Sequence, residues 1–445
     1  MAGNSSKSFA HKSSRSHLED QRYFPWRGVA RYCEGVPLSQ IASRCATPTY
    51  VYSQSSITAA YREYTHAFRG LPTTICYSVK ANSNLEILKL LARLGSGFDI
   101  VSGGELYRLR HAGISGQRIV FSGVGKTREE IREALREKIF LFNVESPAEL
   151  DVLISEASRL NRPAPAAIRI NPDVQAGGHA HISTGRQQHK FGMEWPDARR
   201  SYLAQQNSPW IAWKGISAHI GSQIFSKDAI RLAASRLANF AADLQRAGIP
   251  ITHIDFGGGL GVRYADEKPI SIAEYAREVI KIFKPLRCRL LLEPGRSIIG
   301  PAGILLTRVL YTKTNRGKNF IVVDAAMNDF IRPALYGGIH PITPVTRVAP
   351  SRARTHAHTP TQIRADIVGP VCESGDCLLH DWPIEKVNSG ELLMLWGAGA
   401  YGFSQASNYN SRPRPAEILV HRKRARVIRK RESRADLIRG EGLAT

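Results

Sequence analysis

Residues 75–84 read ICYSVKANSN. Ile75, Cys76, Tyr77, Ser78 and Val79 are β-formers or neutral and make a short strand. Lys80 interrupts them, and Ala81, Asn82, Ser83 and Asn84 read as a loop. A lysine ammonium normally stays in water. A strand of buried character that ends by presenting one therefore needs a reason.

Working outward, similar runs recur at 98–101 (FDIV), 118–122 (RIVFS), 140–144 (FLFNV), 166–170 (AAIRI), 215–219 (GISAH), 252–256 (THIDF) and 289–293 (RLLLE). Helix patterns lie between most of them. NLEILKLLARLG puts Leu85, Leu88, Leu91 and Ala92 on one stripe and stops at Gly95. SPAELDVLISEASRL starts with Ser146 as N-cap, Pro147 at the first helical position and Glu149 three residues after the cap. Eight runs with intervening helices fit a (β/α)8 barrel, whose usual length is about 250 residues. An open doubly wound sheet competes, and the count of eight favours the barrel.

After Arg296 the pattern changes. GILLTRVLYTKT, FIVVDAAM, IRADIVG and ELLMLWG are β-rich and separated by turn residues, which reads as a second, mainly antiparallel β domain. Residues 25–53 are partly extended and can pair with it. The expected division is a disordered basic arm at 1–22, a barrel at 45–297, and a β domain formed by 23–44 and 298–445. The stretch 349–361, rich in Pro, Arg, His and Thr, reads as a surface loop.

The chain has 445 residues, 43% apolar, with no apolar run long enough to span a bilayer. Six cysteines without a CxxC pair fit reduced thiols in the cytoplasm. The net charge of +23 is unusual, and much of it is local. Residues 421–439 hold nine Lys/Arg against Glu432 and Asp436. Such a balance raises nucleic acid as a partner. No zinc spacing, RNA-binding aromatic motif or basic–heptad pattern accompanies it, so the basic surface reads as serving solubility and anionic substrates.

Active sites of such barrels lie at the carboxyl ends of the strands. There the sequence places Lys80, Asp99, Glu105 in SGGE, His219, the glycines of GGGLG (257–261) and EPGR (293–296). Each alone has an ordinary structural explanation; their joint placement does not. Glycine N–H groups can approach a phosphate closely. An amine can capture an aldehyde. A carboxylate can keep a heterocyclic nitrogen protonated. The set suits a phosphate-bearing aldehyde cofactor.

These residues sit in motifs that resemble the fold-type III pyridoxal-phosphate-dependent decarboxylases, most closely their diaminopimelate decarboxylase branch. The matching strings are YVYS (50–53), YSVKAN (77–82), GFDIVSGGEL (97–106), HISTG…KFG (181–192), HIGSQI (219–224), DFGGGLG (255–261), LEPGRSI (292–298), MNDFIRPALYG (327–337), CESGD (372–376) and GAYGFSQASNYNSRPRPAE (399–417). The resemblance implies an alanine racemase-type barrel and pyridoxal 5'-phosphate as cofactor. It implies Lys80 as the Schiff-base lysine, His219 stacked on the ring and Glu293 on the ring nitrogen. Asp99 and Glu105 would belong to the cofactor site. Ser222, Gly257, Gly258, Gly259, Gly295, Arg296 and Tyr401 would surround the phosphate. Arg296, Arg332, Tyr336 and Tyr401 would hold the substrate, with Glu373 on its far ammonium. Cys372 would approach the reacting carbon as a proton donor. In this family the CESGD loop enters the partner's site, so the resemblance implies a homodimer with shared active sites.

The implied reaction is decarboxylation of meso-2,6-diaminopimelate to L-lysine and CO2. A distal carboxylate clamp distinguishes that substrate from ornithine, arginine or lysine. Rival readings are a decarboxylase for another diamino acid, such as carboxynorspermidine, and a non-enzymatic cofactor or nucleic-acid binder. Ala326, where glycine is the family habit, and Trp396–Gly397, where a charged residue is common, depart from the pattern.

Overall fold

The computed structural model describes residues 22–174, 190–347 and 362–442. The expected basic arm (but for Arg22), the HISTG string and the 349–361 loop lie outside the described residues. Eight strands form a closed barrel: β1 Thr73–Ser78, β2 Gly97–Ile100, β3 Ile119–Phe121, β4 Leu141–Val144, β5 Ala164–Ile170, β6 Ile211–Ala218, β7 His253–Asp255 and β8 Arg289–Leu292. All neighbours are parallel, and β8 closes on β1 with Leu290 opposite Thr73. These are the eight runs read from sequence. Strands buried on both faces need no polar alternation, which is why they read as short, mostly apolar runs.

Local signals set the helices. Asn84 accepts from Glu86 N at 3.0 Å and starts helix Leu85–Arg93, beyond which Gly95 takes φ +98°. Ser146 accepts from Glu149 N at 3.1 Å and starts Pro147–Arg159. Ser102 does the same for Gly103–His111 through Glu105 N, and so orients the first turn after β2. Among the described residues no helix is long and apolar enough to cross a membrane.

The second sheet is mostly antiparallel and built around the long strand Gly303–Asn315. Its partners include Lys318–Val323, Leu392–Leu395 and Thr49–Ser53. Thr49–Ser53, which the division at residue 45 sets with the barrel, thus belongs to the second sheet by hydrogen bonding. It also runs parallel to Ala416–Val420. All five of its residues are buried, so its sequence has no alternation to say which sheet it joins.

The basic C-terminal segment packs onto this sheet. Arg424–Arg429 pairs with Ala416–His421. Arg429 Nε donates to Glu417 Oε2 at 2.7 Å, Arg426 meets Glu86 at 2.6 Å, and Arg431 Nη2 donates to the carbonyl of Pro48 at 2.5 Å. The two domains meet around the opening sequence stretch. Tyr401 N donates to Ala81 O at 2.8 Å, and Asn84 Nδ2 to Glu417 Oε2 at 2.8 Å.

Candidate active site

Lys80 lies in a short 3-10 turn, Val79–Ala81, directly after β1. Its Nζ is 2.7 Å from Asp99 Oδ2 at the end of β2. Asp99 is fully buried, and the same oxygen accepts from Ser78 Oγ at 2.8 Å. Ser78 Oγ also reaches Glu293 O, at 3.0 Å. Burial opposes the charge on Lys80, but the Asp99 and Glu293 carboxylates outweigh it and raise its pKa above the usual lysine value. The ammonium is therefore paired at the barrel mouth.

Opposite, at the end of β8, Glu293 is buried. Burial, with the charges of Asp255 and Asp99, pushes its carboxyl well above the ordinary range, and Lys80 opposes them. Asp255, from β7, is raised too, chiefly by burial. Asn143 Nδ2 donates to Asp255 Oδ2 at 2.6 Å and to Ser122 Oγ at 3.0 Å, and Ser122 lies 3.4 Å from Glu293 Oε1. A hydrogen-bonded chain across the barrel floor thus orients Glu293. Glu105, beside Lys80 and Asp99, is raised to about 7, mainly by burial, while its bond from Val101 N at 2.8 Å works the other way.

His219 ends β6. Its Nδ1 accepts from Gly258 N at 3.2 Å, which leaves the ring proton on Nε2. Burial and the positive charges of Arg169 and Lys80 drive its pKa well below the usual value, so the ring is neutral. The loop Gly257–Gly259 passes between β6 and β8. A Cβ at Gly258 would collide with the carbonyl oxygen of Glu293, and one at Gly259, where φ is +99°, with that of Gly221. Only bare backbone fits there.

A second cluster adjoins the first. Arg296 is buried, and its Nη1 and Nη2 donate at 3.0 Å to Tyr264 OH and Ser222 Oγ. Its guanidinium lies 4.7 Å from the Tyr401 ring centre. Tyr401 holds φ +55°, a backbone state that a bulky residue adopts only under tertiary constraint. Arg332 lies 5.5 Å from the Tyr264 ring and 5.6 Å from that of Tyr336. Its Nε donates to His340 Nε2 at 3.1 Å, and His340 Nδ1 bonds Trp396 O at 2.9 Å. Two guanidinium groups walled by three tyrosines can grip a carboxylate and a phosphate.

Cys372 and Glu373 stand apart. Both are exposed; Asn410 Nδ2 lies 3.4 Å from Cys372 Sγ, and Glu373 hydrogen-bonds Tyr409. Their contacts are within the second domain rather than with Lys80. The other residues named from sequence fall into the two clusters, joined where Tyr401 meets the Lys80 turn. Sequence reading gave no role to Tyr264, His340, Ser78, Ser122, Asn143 or Asp255. Ser78 and Asp255 lay inside quoted motifs, and Ser122 and Asn143 inside the strand runs, without a role being read for them; Tyr264 and His340 stand in irregular segments without any periodic signal.

The donors fit a phosphate-bearing aldehyde. Arg296 Nε and Asp99 Oδ1 are buried polar atoms without a protein partner, one suited to an anion and the other to a cation or donor. Residues 54–300 match the family described as pyridoxal-dependent decarboxylase, pyridoxal binding domain. The diaminopimelate decarboxylase of Pseudomonas fluorescens is 47% identical over 421 residues, 94% of this chain and 99% of that one. The Neisseria meningitidis serogroup B enzyme of that name is 46% identical over 90% of this chain and 94% of its own. A crystal structure of the Helicobacter pylori diaminopimelate decarboxylase complexed with L-lysine superposes with a TM-score of 0.85 at 42% identity, covering 90% of this chain and 98% of that one. The chain therefore belongs to the diaminopimelate decarboxylase family of pyridoxal-dependent decarboxylases.

Proposed function

We propose that this chain decarboxylates meso-2,6-diaminopimelate to L-lysine and CO2, the last step of lysine biosynthesis, using pyridoxal 5'-phosphate held by the two clusters. When bound, the cofactor supplies an aldehyde for amines and a cationic ring that takes up the electron pair left on carbon when CO2 departs. Lys80 Nζ would hold the aldehyde. Because that nitrogen rests as an ammonium, it must first give up a proton, and Asp99 Oδ2 at 2.7 Å is the acceptor in place. Glu293 would face the ring nitrogen, its orientation fixed through Ser122, Asn143 and Asp255. Neutral His219 would cover one ring face. Ser222, Gly257–Gly259, Gly295, Arg296 and Tyr401 would surround the phosphate. Arg332, Tyr336 and Arg296 would bind the carboxylate remote from the reacting carbon.

Cys372 and Glu373 complete the proposal. Their exposure, away from Lys80, suits a loop that serves a second copy's site in a homodimer. There Cys372 would protonate the carbon that loses CO2, and Glu373 would read the distal ammonium. The observation that carries the reading is the convergence of an amine and carboxylates at the ends of β1, β2 and β8. The setting would be the cytoplasm. The test is CO2 release from meso-diaminopimelate against ornithine, arginine and lysine. Turnover confined to the first supports it, and preference for any other refutes the distal clamp. Lys80→Ala should abolish the borohydride-trapped cofactor adduct; an adduct that persists places the amine elsewhere.

A further inference from the structure

Strands Gln362–Val368 and Cys377–Glu385 pair antiparallel in the second sheet, and the latter begins directly after the Cys372–Asp376 loop. In a regular strand, residues three apart point to opposite faces. Cys377 and His380 should therefore not meet. Here the register breaks between Ala365 and Ile367 and again between Ile367 and Val368, and Asp381 turns at φ +44°. Such irregularities re-aim side chains. As a result His380 Nδ1 lies 3.3 Å from Cys377 Sγ and 3.3 Å from Asp366 Oδ2, with all three atoms within 4.8 Å of one another.

The two 3.3 Å separations from His380 Nδ1 match one coordination sphere, and the third pair lies within 4.8 Å. With metal–nitrogen and metal–oxygen bonds of about 2.0–2.1 Å and a metal–sulfur bond of about 2.3 Å, tetrahedral donors sit roughly 3.3–3.6 Å apart. A sulfur, an imidazole and one carboxylate oxygen form a borderline-soft set, which selects transition-metal ions over calcium or magnesium. The carboxylate is oriented from behind, because Asp366 Oδ1 accepts from Asp381 N at 2.8 Å. Cys377 is buried and His380 exposed, which leaves one side open for entry and for water. Lys318 Nζ, 2.6 Å from Asp366 Oδ2, is the competing cation.

We propose that Asp366, Cys377 and His380 bind one divalent transition-metal ion, zinc fitting best, with water as fourth ligand, at the root of the Cys372–Asp376 loop. Binding releases the Cys377 proton to solvent and leaves the neutral imidazole to coordinate through Nδ1. This site is separate from the Lys80 cluster and does not depend on its assignment.

The experiment titrates the purified holoenzyme with Co2+, recording difference spectra for thiolate-to-cobalt charge transfer, and then displaces the cobalt with Zn2+. One ion per chain, with a charge-transfer band and a Kd of about micromolar or below, is expected. Cys377→Ser should abolish the band, and Cys372→Ser should retain it. Two surface substitutions guard against misfolding of the core variant. His380→Ala should weaken binding about tenfold or more, and Lys318→Met, which removes the competing ammonium, should tighten it. The proposal fails if the wild type shows no band, if the band survives Cys377→Ser or vanishes with Cys372→Ser, or if both surface variants bind like wild type.

Discussion

Asp329 shows how a single buried carboxyl leaves a signature in stability. Its Oδ2 accepts from Ala326 N at 2.9 Å, and Arg412 lies 3.7 Å away. Burial nevertheless dominates and lifts its pKa from 3.8 to about 7, with Ala326 N, Arg412 and Arg431 pulling the other way. Between those two values the native chain holds a proton that the unfolded chain has lost. This side chain therefore makes stability fall as pH rises through that window. Asp329→Asn keeps an acceptor oxygen without the titration. Its Tm should decline less than that of wild type between pH 4 and 7, and an unchanged slope would contradict the assignment. Glu105, also near 7, titrates beside Lys80. Lys80 itself was legible in ten residues of sequence, because a lysine at the end of an apolar strand is an anomaly. Its partner Asp99 was legible only as a strand-end acid.

The short helix Arg332–Tyr336, the loop holding His340 and the turn after strand Leu392–Leu395 that holds Trp396 show what an element adds. His340 is wholly buried, and burial with the Arg332 charge holds its pKa well below the usual value. The neutral ring donates from Nδ1 to Trp396 O and accepts from Arg332 Nε at Nε2, so its tautomer fixes the guanidinium. The departure at Trp396 fits this place, since its indole packs at 5.6 Å on Phe24 while Nε1 donates to Thr343 Oγ1 at 3.0 Å. Losing a buried hydrogen bond to a charged group costs about 1.5–3 kcal/mol. His340→Ala should therefore raise KM for diaminopimelate by roughly ten- to a hundredfold while the cofactor absorbance stays. A fall in cofactor occupancy with unchanged KM would assign His340 to the other cluster. Glu373→Gln should likewise weaken substrate use without loss of cofactor, and normal turnover would remove Glu373 from substrate recognition.

At the scale of the molecule, the second domain closes over the barrel mouth and also exposes the Cys372–Asp376 loop. Asp376 anchors that loop, its carboxylate accepting from Met327 N at 2.6 Å and Val371 N at 2.8 Å. If the loop serves a neighbouring copy, inactive Lys80→Ala and Cys372→Ala variants should complement when mixed. Random exchange makes half the dimers mixed, and one of the two sites in each is intact, so about a quarter of wild-type activity should return. Two mixed variants that stay inactive, while size-exclusion chromatography shows subunit exchange, would exclude shared sites. The same domain absorbs part of the basic C-terminal segment. Arg426, Arg429 and Arg431 have protein partners, and their charge works in packing.

By itself the sequence determined the eight barrel strands, their helix caps and the strand-end chemistry, because short apolar runs, capping residues and glycine loops are local signals. The sequence left Thr49–Ser53 between two readings, as part of the 25–53 stretch that can pair with the second domain and as part of the barrel at 45–297; tertiary structure decided for the second sheet, since a strand buried throughout carries no mark of its partner. It also decided that His340 holds Arg332 and that Asn143 and Asp255 support Glu293 through Ser122, contacts between residues 8 to 171 apart whose bonds no local pattern encodes. Broken register and a left-handed Asp381 brought Cys377, His380 and Asp366 together against strand periodicity, and only the folded sheet reveals that meeting.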